Sequence, residues 1–220
     1  MAGRFDRFLD ALSRTEVSER ACNQFSRVSG DVRMNAVRRH NLRLYLEDLH
    51  AIGSRTLLIG EAPSHRGGRL TGIAFVSESL MLGGVEHTRG RTLGEERGFR
   101  KATSSPKPST EASATMVWGT IGRLDPLPLL WNALPFHPFH SGNPQSNRVP
   151  TPAELAIGAR FIEMLLRVFD IDVVVAVGNQ ADASLAQLGI SHEKVRHPSM
   201  GGKQEFVAGM ARLLQTERHR

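Results

Sequence analysis

Three short segments carry the residue types that could do chemistry. Leu57-Leu58-Ile59-Gly60-Glu61-Ala62-Pro63-Ser64 runs from apolar residues through a glycine to a carboxylate. Trp131-Asn132-Ala133-Leu134-Pro135 offers an amide, and Arg196-His197-Pro198-Ser199 an imidazole. Each places one polar group near a proline, just after an apolar, strand-like run. In an open α/β sheet, ligands bind in the crevice beyond the carboxyl ends of the strands, so the three junctions could face one crevice. Together they point to a pocket for a small polar ring.

Such convergence needs parallel strands separated by helices. Thr56–Ile59 is short and apolar, as a strand buried on both faces should be. Pro128–Ala133 is a second strand candidate, Asp172–Val177 the clearest, ended by Gly178, and Lys194–Arg196 a short last one. Residues 1–53 read as helical: Leu9, Leu12, Val17 and Ala21 form a loose amphipathic pattern, and a stronger one runs from Asp31 as N-cap to Gly53 as terminator. Ile73–Leu82 reads as helix broken by Gly83-Gly84, and 86–110, with three glycines and two prolines, as a long flexible loop. Ala112–Ile121 reads as helix capped by Thr110, and 135–150 as loop. Thr151-Pro152-Ala153-Glu154 combines a threonine N-cap, a proline at the first helical position and a capping-box glutamate, opening a helix to about Val168. Asn179–Leu188 and Lys203–Leu214 complete the helices. Strands alternating with helices predict parallel β-α-β units in one domain over residues 1–220.

At 220 residues and 40% hydrophobic content the chain can bury one sizeable core. No apolar run approaches the roughly 20 residues of a membrane span, and the N-terminus lacks the apolar stretch of a secretory signal. Cys22 is the only cysteine, which excludes an internal disulfide and a thiolate-held metal cluster. The net charge of +6, carried mostly by arginine, suits a polyanionic partner or simply an arginine-rich solvated surface. No phosphate-binding Gly-x-x-x-x-Gly-Lys-Ser/Thr loop occurs, and Gly178-Asn179-Gln180 lacks the further glycines of a dinucleotide fingerprint. His65, His137 and His140 read as scattered loop histidines rather than metal ligands, since Pro138 separates the close pair and no carboxylate pattern accompanies them. A cytoplasmic monomer without cofactor, metal or membrane partner is expected.

Gly60-Glu61-Ala62-Pro63, followed by Gly68-Arg69 and Thr71-Gly72 leading to Phe75, resembles the first motif of the uracil-DNA glycosylase superfamily. Asn132 resembles its uracil-reading asparagine. Asn147-Arg148-Val149-Pro150-Thr151-Pro152-Ala153-Glu154 is similar to a segment of the thermophilic iron–sulfur branch, and Val175–Gly178 with His197-Pro198-Ser199 resembles the closing motif. The matches stand in family order over about residues 56–206. Two departures accompany them. The four cluster cysteines of that branch are missing, and Ala62 stands where the best-known members carry a water-activating aspartate. The resemblance is therefore to a clusterless relative of the iron–sulfur branch, whose glutamate Glu61 matches.

What the resemblance implies is a three-layer α/β/α domain around a mostly four-stranded parallel sheet, and a glycosylase that removes uracil from DNA. Breaking the N-glycosidic bond makes a sugar cation and a uracil anion. His197 would hold the anion at O2, and Glu61 would supply negative charge or position water at the sugar. Asn132 would read the O4/N3 edge, and Phe75 would stack on the ring unless it packs in the core. Gly60 and Ala62 would complete the uracil pocket. Pro63, Ser64, Arg66, Arg69, Ser199, Met200 and Gly201, with Gly202, are expected against DNA, Met200 as a wedge for the space left by a flipped base. A small Ser64, where relatives place a bulky aromatic, could admit other deaminated bases. Two other readings stay open: a DNA-binding protein that has lost catalysis, and an enzyme of free nucleosides in which the basic charge is incidental.

Overall fold

Short apolar runs between polar turns become strands with no exposed side chain: Leu57, Leu58 and Ile59 are wholly buried, as are Leu129, Leu130, Val175 and Ala176. A computed structural model describes residues 3–217, so Met1, Ala2 and residues 218–220 of the predicted 1–220 domain lie outside the described residues. Along the chain, α1 (Asp6–Arg14), β1 (Ala21–Cys22) and α2 (Val32–Ile52) lead to β2 (Thr56–Gly60), the single-turn α3 (Gly68–Thr71) and α4 (Glu78–Gly83). A hairpin of β3 (Val85–His87) and β4 (Gly90–Thr92) precedes α5 (Ala112–Ile121), β5 (Leu129–Asn132) and β6 (His137–Pro138). The last third is α6 (Pro152–Val168), β7 (Val173–Val177), α7 (Asn179–Gln187), β8 (Glu193–Val195) and α8 (Lys203–Glu217).

The central sheet has the order β5-β2-β7-β8, and every pairing in it is parallel. The predicted parallel α/β class is borne out. Because β2 lies between β5 and β7, the chain leaves it toward one side and later returns to the other. That reversal makes the carboxyl end of β2 the switch point where such sheets open a crevice. The register aligns Gly60 with Asn132 and Ile59 with Ala176, so the strand ends finish level. Beyond the sheet the alignment continues: Ala133 N–H donates to Gly60 O (2.8 Å) and Leu134 N–H to Glu61 O (3.0 Å).

Capping chemistry places the helices as expected. Asp31 accepts from Met34 N–H at the start of α2, and Gly53 ends it in the left-handed conformation (φ 76°). Thr151 and Glu154 close a capping box on α6, with Pro152 in its first turn. Arg148 locks that start in place. Its guanidinium pairs with Glu154 at 2.6 and 2.8 Å and donates to Phe139 O, Val149 O and Arg20 O. The side chains are only 9% and 6% exposed.

Four expectations are corrected. Residues 15–31 are not helical: α1 stops at Arg14, where Asn23 Nδ2–H caps it by donating to Leu12 O and Thr15 O, and β1 instead pairs antiparallel with β6. Ile73–Leu82 is not one helix. Phe75 takes a left-handed backbone (φ 55°), and only α4 is helical, capped by Ser77. The 86–110 segment holds β3 pairing with β4 and a 3-10 turn at Glu95–Arg97. It is fastened by Asn41 to both backbone groups of Arg100, by Arg38 to Ala102 O, and by Glu78 to Thr103 and Ser109. Finally, the residue before α5 is Glu111, not Thr110.

Candidate active site

Beyond the carboxyl ends of β2, β5, β7 and β8 lies a cavity of about 530 Å³. Glu61, Phe75, Asn132 and His197 all line it, with Ala62, Pro63, Ser64 and Ser199. The three strand-end junctions thus share one crevice, as their sequence predicts. Gly60 is not in the wall but makes the wall possible. A Cβ there would stand 2.5 Å from Phe75 Cζ and 2.8 Å from Asn132 Oδ1, so only glycine lets ring and amide close over the strand end. Gly178 does the same for His197, whose Cβ would lie 2.9 Å from an added methyl group.

Glu61 enters the cavity with Oε1 buried and, among the described residues, without a hydrogen-bond partner. Burial pushes its carboxyl up to about 7. A carboxylic acid poised there is half ionised at neutral pH and can accept a proton from water. Its neighbour in the site behaves oppositely. Burial first, then the charge of Arg196, lowers the pKa of His197, so the ring is neutral at pH 7. Ser199 N–H, which can only donate, lies 3.2 Å from Nδ1, and Ser199 Oγ lies 2.6 Å from the same atom. Nδ1 is therefore the acceptor and Nε2 carries the hydrogen. A neutral imidazole with a fixed N–H donor results.

Phe75 is half-buried, with its ring centroid 6.4 Å from that of His197. Its left-handed backbone is held by Trp118, whose Nε1–H donates to Phe75 O (2.9 Å). The strain of a bulky residue in that region is of the kind concentrated at ligand sites. Asn132, only 5% exposed, ends β5 beside Gly60.

No sequence signal marks Glu111. It stands before α5 and lines the cavity as a second carboxylate, accepting from Ser64 Oγ at 2.5 Å, while Gly67 N–H donates to Ser64 Oγ (3.0 Å). His137, expected as a loop histidine, lies instead on β6, paired with β1. It is fully buried, with Nδ1 2.8 Å from Pro63 O and Nε2 3.1 Å from Pro144 O, and braces the turn after Glu61. Asn147 ties that turn from outside by accepting from His65 N–H (3.0 Å). Arg66 is exposed, whereas Arg69 is half-buried with an unpartnered, buried Nε. Met200 projects into solvent, 91% exposed, on a left-handed backbone (φ 52°), with Gly201 exposed beside it. Among the described residues no group of histidine, cysteine and carboxylate side chains could hold a metal, and no helix is long and apolar enough to cross a membrane.

The fold is thus a parallel α/β sheet with a carboxylate, an aromatic ring, an amide and an imidazole gathered at its switch point. A family profile described as the uracil DNA glycosylase superfamily matches residues 47–215, and the chain belongs to that superfamily of DNA glycosylases. The crystal structure of wild-type Pedobacter heparinus SMUG2 superposes with a TM-score of 0.61 at 14% identity, covering 98% of each chain, and shares the fold. No curated protein sequence matches the chain.

Proposed function

We propose that this chain hydrolyses the N-glycosidic bond of uracil in DNA, releasing free uracil and leaving an abasic site with the backbone uncut. The observation that carries the reading is the meeting of Glu61, Phe75, Asn132 and His197 on one cavity at the sheet's switch point. Uracil flipped out of the duplex would stack on Phe75. The Asn132 amide, offering one acceptor and one donor, matches the N3–H and O4 of uracil and mismatches cytosine.

As the C1′–N1 bond breaks, its electron pair passes to the base and is delocalised onto O2. A neutral His197, fixed with Nε2–H as donor, stabilises that charge without giving up its proton. Water adds to C1′ of the sugar cation and loses a proton to Glu61, whose raised pKa makes it an effective base near neutrality. The proton then leaves to solvent or to the departing uracil anion. Among the described residues no lysine lines the cavity, which argues for simple hydrolysis over a Schiff-base step. Pro63, Ser64, Arg66 and Gly201 would follow the DNA backbone, and Met200 would fill the vacated stack.

The test is uracil release from single- and double-stranded oligonucleotides and from free deoxyuridine. Release from DNA alone supports the proposal. Tight binding to uracil-containing DNA without release, or turnover confined to the nucleoside, overturns it.

A further inference from the structure

Beside the main cavity, and sharing Pro63, Gly68 and Asn132 with it, lies a second, much smaller cavity of about 10 Å³. Gln24, Trp131 and Asn132 line it together with Pro63, Gly68 and Pro135, and every residue around it is buried. Two of these residues carry orphaned polar atoms. Gln24 Oε1 and Trp131 Nε1 are buried with no hydrogen-bond partner, on side chains of residues only 1% and 2% exposed. One orphan is an acceptor and the other a donor. A buried amide oxygen or indole N–H left unpaired is unfavourable, so two such atoms on residues that share one cavity call for a common partner.

The orientation of Gln24 is not free. Its Nε2–H donates to Pro135 O at 2.8 Å, and reversing the amide would set two oxygens against each other. Oε1 must therefore face away from Pro135. The space beside it suits one water, which needs roughly 10–15 Å³ and two or more polar partners. We infer that this cavity binds a single structural water, donating to Gln24 Oε1 and accepting from Trp131 Nε1–H, and that Gln24 is a positioning residue for Asn132. Gln24 then grips the chain on both sides of Asn132: directly at Pro135, and through the water at Trp131. The amide that reads the base is held in place by this grip.

The inference reaches outside the family match, which begins at residue 47, to the segment between α1 and α2. Its water is independent of the proposed activity, while the positioning role rests on that reading. A crystal structure of the full chain tests the water: ordered density within about 2.7–3.2 Å of both Gln24 Oε1 and Trp131 Nε1 is expected, and an empty cavity there overturns the site. Trp131→Phe, which keeps the packing and removes the donor, should lose that density even if a Gln24 variant fails to fold. For the role, Gln24→Leu should raise KM for uracil-containing DNA and lower the preference for uracil over cytosine by about tenfold each, with kcat falling far less. A variant that merely loosens the fold would lose kcat and Tm instead. Unchanged KM and preference in a folded Gln24→Leu overturns the positioning role. If the wild-type chain releases no uracil, the functional proposal fails and the density alone decides the water.

Discussion

Replacing His197 by alanine removes the proposed donor to the base, so uracil release should slow by about 10²–10³-fold while DNA affinity, measured on an uncleavable analogue, changes little. A variant that keeps full activity rules out the assigned role. Glu61 makes a prediction in two directions. As a base it must be ionised, so kcat/KM should rise with pH through about 7, and Glu61→Gln should lose that limb together with most of the activity. In the fold the same shift acts oppositely. A carboxyl raised from its usual 4.5 to about 7 binds its proton more tightly when folded, so it lowers stability as pH climbs from 4.5 to 7. Glu61→Gln should therefore melt a few degrees higher than wild type at pH 8 and at the same temperature near pH 4, read by thermal scans at the two values. The site is least stable where it is most active.

At the level of elements, Arg148 and Glu154 decide whether α6 starts in the right place. Burial alone would raise the Glu154 carboxyl, but the hydrogen bonds from Arg148, Thr151 and Ser18 and the charge of Arg148 hold it at about 2. That contribution to stability is complete above about 4.5 and should disappear as pH falls toward 2, visible as a shrinking denaturant midpoint. Arg148→Ala strands a buried carboxylate and should cost about 3–5 kcal/mol in equilibrium unfolding at pH 7. Such elements were readable because their signals are local. The capping box of Thr151, the stop at Gly53 and the apolar runs of β2 and β7 name their own ends. Where the backbone is unusual, periodicity misleads: the apolar spacing from Ile73 to Leu82 passes through Phe75, whose left-handed turn no pattern announces. Glu61, Asn132 and His197 could be found because each stands at or just after the end of a strand. Glu111 on the main cavity and Gln24 on the smaller one could not, since both come from segments with no such signature and are brought there only by tertiary packing.

For the whole molecule, the excess of positive charge bears on affinity rather than on base choice. Binding to an uncleavable duplex should weaken by about tenfold or more between roughly 50 and 200 mM salt, while the preference for uracil over cytosine stays constant. A preference that collapses with salt would move base reading away from the Asn132 pocket. The parallel order β5-β2-β7-β8 carries a last consequence. The walls of the crevice are drawn from segments spread between Glu61 and Ser199, so the cavity has no precursor in any smaller piece of the chain. Loops must close over long stretches of sequence before Glu61 and His197 meet, which makes the candidate site a late product of assembly. During refolding, catalysis should return only with the final cooperative step, making release of the base a reporter of the finished sheet.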